Sequence, residues 1–280
     1  MKVLITGGSG FIGRAIAERL RASGYSAIAV SLRTPPGPAV FAGCGAVVHL
    51  AGEPVAQRWT AAAKERIRDS RVQGTRTLVA ALRQQPPAVL ISASAIGYYG
   101  SRGNETLTED SPPGSDFLSQ VAVAWEQEAR AAEQFGVRVV TPRIGVVLGR
   151  GGGALAKMAL PFHLGVGGRL GDGRQWTSWI HLDDLIALVE FSIATTAIHG
   201  AVNAVAPNPV TNTDFTRALA SALHRPAIFP VPAAALRLLL GEMSQVVLAS
   251  QRVIPQAAAR AGFQFRFTEA GEALRQIFAA

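Results

Sequence analysis

The chain has 280 residues and a formal net charge of +8, from 27 Lys plus Arg against 19 Asp plus Glu. Hydrophobic residues make up 49% and charged residues only 16%, which excludes a disordered chain, since disorder needs the reverse balance. The length fits one large domain, or one domain with a smaller lobe.

No stretch of about 18 residues is uniformly apolar, so no membrane-spanning helix is expected. The richest candidate, residues 227–240, is broken by Pro230, Pro232 and Arg237. After Lys2 the apolar run covers only Val3, Leu4 and Ile5 before glycines begin, so no signal peptide is expected. The single cysteine, Cys44, excludes an internal disulfide and a Cys-rich metal site. No metal is expected, and the reading is a reducing, cytoplasmic compartment. The basic residues are scattered. The densest stretch has Lys64, Arg66, Arg68, Arg71 and Arg76 interleaved with Glu65 and Asp69. That is the pattern of a solvated helix face and not of a nucleic-acid surface.

Taken in chain order, residues 2–6 form a short β-branched strand that runs into a glycine-rich turn. Residues 11–23 have helical periodicity, with Ile12, Ala15, Ile16 and Leu20 on one side, and Gly24 suits the helix end. Residues 26–31 and 46–50 read as the second and third strands. Residues 60–83 form a long helix with Thr60 as its N-cap. Residues 88–93 are a further apolar strand, 116–135 a helix and 137–141 a strand. Glycines are then dense from Gly149 to Gly173. A short strand at 178–181 follows, then a helix at 183–195 opened by Asp183 and Asp184, a strand at 201–206 and a helix at 212–223. From Pro230 onward the chain is mostly helical, with a short strand at 263–267. This alternation, with continuously apolar strands, predicts an α/β fold: a Rossmann-type doubly wound parallel sheet with a smaller C-terminal α/β substrate lobe. Residues 1–150 make the dinucleotide-binding part, portions of 178–206 return to it, and 151–280 mainly build the lobe.

The strongest motif is Gly7, Gly10 and Gly13 in a G-x-x-G-x-x-G loop, with Phe11 and Ile12 inside it. It follows the first strand and opens the first helix. A tight turn tolerates positive φ only with glycine, and a pyrophosphate approaches the backbone only where no Cβ intrudes. The helix N-terminus then supplies N–H groups and a partial positive charge. The end of the second strand reads Ser31-Leu32-Arg33, with no acid nearby. An acid there would bind a ribose 2′-hydroxyl, whereas an Arg accommodates a 2′-phosphate. NADP(H) is therefore expected in preference to NAD(H).

The glycine loop, His49-Leu50-Ala51-Gly52, the stretch from Ser92 to Gly100, and Trp179-Ile180-His181-Leu182-Asp183-Asp184 occur in this order. In these segments the chain resembles the extended short-chain dehydrogenases/reductases. In Asp69-Ser70-Arg71-Val72, Thr108-Glu109-Asp110 and Ser250-Gln251-Arg252-Val253 it resembles more closely their atypical epimerase-like branch, whose members are described as nucleoside-diphosphate-sugar epimerases. The resemblance implies further cofactor contacts from Leu50, Ala51, Gly52, Ser92 and Ala93. It also implies a catalytic Ser followed by Tyr-x-x-x-Lys on the next helix, the Tyr moving the proton and the Lys lowering its pKa.

The chain departs from that pattern in three places. Ser94 matches the Ser, but Leu118 stands at the Tyr and Ala122 at the Lys, and residues 116–135 contain neither Tyr nor Lys. Tyr98 and Tyr99 are the remaining candidates for proton transfer. Glu53, Gln175, Trp179 and His181 are expected to line the substrate site. Thr177 stands where relatives carry an Arg that grips a substrate pyrophosphate. Finally, only fifteen residues, rich in Pro and Gly, separate Arg33 from His49. That is too short for a crossover helix plus an edge strand, and Pro35, Pro36 and Pro38 oppose a helix start. The outer strand beside the second strand is expected to be missing.

The reading is an NADP(H)-binding oxidoreductase or epimerase acting on a small carbonyl, hydroxyl or sugar-like substrate. The alternative is a catalytically silent NADP(H)-binding regulatory or interaction protein. No nucleic-acid or membrane partner is expected, and the chain is expected to be a monomer or homodimer.

Overall fold

The computed structural model describes residues 1–33 and 37–279; Pro35 and Pro36 lie outside them. A parallel sheet forms the centre. Its strands are β1 (Lys2–Thr6), β2 (Ser26–Val30), β3 (Cys44–His49), β4 (Val89–Ser92), β5 (Ser94–Ala95), β6 (Arg138–Ile144) and, after two strands of the lobe described below, β9 (Gly200–Ala204). The order across the sheet is β9-β6-β4-β3-β1-β2, and β5 pairs with the upper end of β6. Helices α1 (Phe11–Ala22), α2 (Ala61–Leu82), α3 (Phe117–Arg130) and α5 (Leu182–Ala194) cover it.

All four residues of β4 are buried, as expected for a strand covered on both faces. Ile16, Ala17 and Leu20 of α1 join Val3, Ile5, Val48, Leu185 and Val189 in one core, while Leu4, Val47 and Leu90 meet Leu78 and Leu82 of α2 in another. Among the described residues β2 pairs only with β1 and is the sheet edge. A single 3-10 turn, Pro38–Phe41, lies in the short crossover, and its Phe41 is buried against the second core.

The smaller lobe holds strands β7 (Val146–Leu148) and β8 (Trp179–His181), paired in parallel. Around them lie α4 (Gly153–His163), α6 (Asn212–Leu223) and, beyond helices α7 (Ala233–Leu240), α8 (Ser244–Leu248) and α9 (Gln256–Arg260), the C-terminal α10 (Ala270–Phe278). Leu155, Phe162, Trp179, Phe215, Leu274 and Ile277 form its core.

The cap of the long helix is as expected. The Thr60 hydroxyl accepts from Ala63 N–H at 3.2 Å and caps α2. Asp116 caps α3 in the same way, accepting from Ser119 N–H at 2.9 Å. Two expectations fail. The helix at 183–195 starts at Leu182, and its cap is His181, whose Nδ1 accepts from Asp183 N–H at 3.1 Å. Residues 263–267 form no strand. The Arg266 and Phe267 N–H groups donate to the buried Asp184 carboxylate, each at 2.9 Å. A carboxylate that satisfies two successive amides removes the need for a strand partner, while Phe263 packs into the sheet core and Phe267 into the lobe core.

His49 closes β3 with no exposed surface. Its Nδ1 pairs with Thr6 Oγ1 at 2.6 Å and its Nε2 with Thr75 Oγ1 at 2.9 Å. Burial, together with the nearby Arg71 cation, pushes its pKa down from 6.5 to about 4. The ring is therefore neutral in the fold, while the unfolded chain binds its proton as pH falls through 6.5. Stability is lost over that window down to about pH 4. We expect the unfolding free energy to fall by about 2 kcal/mol from this group between about pH 7 and pH 5. Urea unfolding at both pH values checks this, with His49→Gln lacking that part of the slope. An unchanged slope in His49→Gln contradicts it.

Candidate functional site

The glycine loop is built as an anion cradle. Gly7 has φ +73°, and a Cβ there would lie 2.7 Å from the Leu50 carbonyl carbon. The Gly10 N–H donates to Gly7 O at 3.0 Å, which tightens the turn. Gly10 is the α1 N-cap and offers no side-chain cap, and the first turn carries no acid. The α1 N-terminus is therefore suited to an anion. Ser31 and Arg33 follow β2 as exposed residues, with Arg33 N–H donating to Ser31 Oγ at 3.2 Å.

A cavity of about 570 Å³ runs from this loop. Gly7, Gly10, Phe11, Ile12, Gly13, Leu50 and Ala93 line it at one side. Ala51 and Gly52 continue the chain beyond it. Ser92 is fully buried below, with an unpartnered Oγ. The other side is walled by Val55, Trp59, Phe117, Leu118, Val121, Ala122, Trp125 and Val246. Leu118, Ala122 and Trp125 follow the i, i+4, i+7 spacing of one helix face. Both positions expected to lack the relay thus face the cavity, and both are aliphatic.

Ser94 also lines the cavity but is 3% exposed. Its Oγ donates to Glu126 Oε1 at 2.7 Å. Glu126 and Arg143 are each 2% exposed and form a bidentate pair, with Nε to Oε1 at 2.8 Å and Nη2 to Oε2 at 3.0 Å. Arg143 Nη1 donates onward to Tyr99 Oη at 2.9 Å and to Glu109 O at 3.1 Å. Tyr99 in turn donates to Asn203 Oδ1 at 2.6 Å. Burial pushes the Tyr99 pKa up to about 12.

Residues 3–204 match the NAD dependent epimerase/dehydratase family, and residues 231–277 match a domain of unknown function, DUF1731. The chain belongs to the NAD-dependent epimerase/dehydratase family. Among similar members, the human epimerase family protein SDR39U1 is 37% identical over 100% of both chains. A chloroplastic SDR39U1 homolog from Arabidopsis thaliana is 41% identical over 99% of this chain and 86% of its own. In structure, human SDR39U1 (isoform 2) solved with NADPH superposes with a TM-score of 0.91 at 34% identity, over 100% of this chain and 99% of that one. The nucleoside-diphosphate sugar epimerase of Corynebacterium glutamicum gives 0.83 at 35% identity, over 99% of this chain and 58% of that one.

In this epimerase-family chain, several residues expected at the site lie elsewhere. Tyr99 is sealed in the network just described, with its hydroxyl committed to Arg143 and Asn203, so it has no open path to the cavity. Tyr98 is half-buried, does not line the cavity, and lies against the Arg143 guanidinium at 3.4 Å from its ring centre. The Glu53 carboxylate accepts from Gln57 at 3.0 Å and faces Arg66 at 3.5 Å, away from the cavity lining. Gln175 is buried and donates to Leu170 O at 3.0 Å. Trp179 is fully buried, with Nε1 donating to Asn208 O at 3.1 Å. His181 caps α5, pairs through Nε2 with Gln276 at 3.1 Å and stacks on Phe267. The polar atoms of these residues satisfy the fold, which is what burial demands of them.

Other residues at the site escaped the sequence reading. They are Trp59 and Trp125, Gln245 and Gln251 from the C-terminal region, the buried Glu126, and Arg71 on α2. Trp125 was within reach, because it continues the helix face of Leu118 and Ala122. Among the described residues, no helix is long and apolar enough to cross a membrane.

Proposed function

We propose that this protein binds NADP(H) and acts as an oxidoreductase or epimerase on a small carbonyl or hydroxyl substrate, without the Tyr-x-x-x-Lys relay. The observation that carries this reading is one continuous cavity. It joins a glycine cradle that only an anion-bearing group suits to a pocket of substrate size. The NADPH-bound human relative supports the choice of cofactor. The lone, buried Cys44 suits the cytoplasm as the compartment.

Gly7, Gly10 and Gly13 would hold the pyrophosphate at the α1 N-terminus, and Arg33 would meet the 2′-phosphate. When bound, NADPH supplies a hydride. The Ser94 proton is committed to Glu126, so toward the cavity its Oγ offers lone pairs and accepts from a substrate hydroxyl. Leu118 and Ala122 contribute no proton. A proton that the reaction requires therefore comes from substrate or solvent.

Cofactor titration followed by NADPH absorbance tests the reading. NADPH binds more tightly than NADH, and Arg33→Ala weakens NADPH by about tenfold, the size of one charge-assisted contact at an open site, while leaving NADH unchanged. Equal affinity for the two cofactors, or an Arg33→Ala variant that keeps its preference, defeats the assignment. A carbonyl panel then tests turnover. The aliphatic pair Leu118 and Ala122 also favours a second reading, a cofactor-binding regulatory protein. Tight NADPH binding with no oxidation on any carbonyl selects that reading.

A further inference from the structure

Arg71 occupies an unusual position. It projects from α2, and its burial pushes its pKa down to about 10. Its guanidinium lies 5.2 Å from the centre of the Trp125 ring. Nη1 donates to Glu53 O at 3.0 Å and to Ile67 O at 3.1 Å. Among the described residues, no carboxylate lies within ion-pair distance of it, because Glu53 turns to Gln57 and Arg66. Nε and Nη2 have no partner among those residues, and Arg71 is the one cationic side chain lining the cavity. A second observation stands beside it. Trp125 lines the same wall, and its indole N–H is buried with no partner.

A part-buried guanidinium without a counter-ion draws an anion to it, and a buried N–H without an acceptor is costly. One small anion answers both. The surrounding wall limits what else that anion carries, since Val55, Trp59, Phe117, Leu118, Val121 and Val246 are apolar. Among the other polar side chains of the lining, Gln245 is exposed and makes no side-chain hydrogen bond to the described residues, and three more are already engaged. Ser94 donates to Glu126, Asp116 caps α3, and Gln251 donates to Ile96 O and Gly100 O. A sugar ring with several hydroxyls would find few partners here. A flat or branched hydrocarbon would bury its surface well.

We propose that Arg71 and the Trp125 N–H form the carboxylate seat of the substrate pocket, and that the substrate is a small apolar carboxylic acid, such as a 2-oxo acid with an aryl or alkyl tail. The proposal rests on the cofactor-bearing reading above for the role of the cavity, but the seat itself is a property of α2 and α3. A cofactor phosphate is the other source of such an anion.

The experiment titrates the full chain with 4-phenyl-2-oxobutanoate, its methyl ester and UDP-glucose by calorimetry, and with NADPH in parallel. The acid binds at least about tenfold more tightly than the ester, and Arg71→Met removes that advantage, as loss of a charge-assisted pair requires. Arg71→Met binds NADPH about as well as the wild type does. Arg71→Gln replaces Arg71→Met should the latter not fold, and thermal melts check this. The proposal is overturned by an acid that does not bind, by equal affinity for acid and ester, or by tighter binding of UDP-glucose. An equal loss of NADPH affinity in Arg71→Met also overturns it and gives the cation to the cofactor. A wild type that separates acid from ester yet fails to bind NADPH keeps the seat and removes the cofactor reading.

Discussion

Glu126→Ala lowers the unfolding free energy by about 3–5 kcal/mol, the cost of leaving a buried guanidinium without its partner. The carboxylate accepts from Ser94 and twice from Arg143. Arg143 cannot escape to water, because β6 holds its backbone and Tyr98, Tyr99 and Glu109 O surround its head. A loss of this size is a large fraction of a stability of about 5–15 kcal/mol. Ser94→Ala removes one hydrogen bond and leaves the ion pair, so it costs only about 1 kcal/mol. The double variant Glu126→Leu with Arg143→Met replaces both charges with apolar groups of similar size. It is expected to recover most of the loss, because a buried pair contributes little over a packed hydrophobic substitute. Urea unfolding of the three variants decides. A Glu126→Ala cost below about 1 kcal/mol would mean that Arg143 finds water or another partner, and the network as described here would be wrong.

The sequence carried the parts of this molecule that depend on local spacing. The glycine loop, the β-α alternation, the Thr60 cap and the shortened edge at β2 all rest on residues close together in the chain. Leu118 and Ala122 are placed instead by the resemblance, at its Tyr and Lys positions, and both do line the cavity. What escaped was pairing across the fold. Glu126 meets Arg143 across 17 residues, and Tyr99 meets Asn203 across 104. Nothing in Tyr98-Tyr99 signals that one ring is sealed beneath the other's neighbour Arg143. Gln175, Trp179 and His181 are expected at the site because the stretch from Gly171 to His181 resembles the segment that meets substrate in the family. A sequence records that a side chain is polar but not which way it points. Each of these three instead satisfies a backbone or side-chain partner within the lobe. Arg71 is the converse case, a cation in a mixed-charge stretch that the fold turns inward while Arg66, Arg68 and Arg76 stay on the surface.

The second large effect is at Gly13. An alanine Cβ there would lie 2.8 Å from Gly8 Cα and 2.9 Å from Gly7 C, and closer still to Gly7 O. These are backbone atoms of the turn, so no side chain can swing aside. The Gly7 carbonyl is already fixed by the Gly10 N–H at 3.0 Å. Gly13 is itself buried in α1, whose Ile16, Ala17 and Leu20 lock it against the sheet. The helix must therefore retreat from the loop, and it does so at the end where the phosphate would sit. Gly13→Ala is expected to weaken NADPH by at least about 100-fold while costing about 1–3 kcal/mol of stability, the usual range for overpacking. Gly24→Ala separates the two readouts. Gly24 has φ +84° and nothing within 4 Å of its would-be Cβ. Alanine there is strained by about 1–2 kcal/mol, yet it lies at the far end of α1 and leaves NADPH affinity intact. Gly10→Ala, with its Cβ 3.2 Å from Gly7 O, falls between them in affinity. The order Gly13, Gly10, Gly24 in lost affinity, unmatched by the order in lost stability, ties the loop to the cofactor. A Gly13→Ala protein that folds and binds NADPH within about threefold of the wild type breaks that tie.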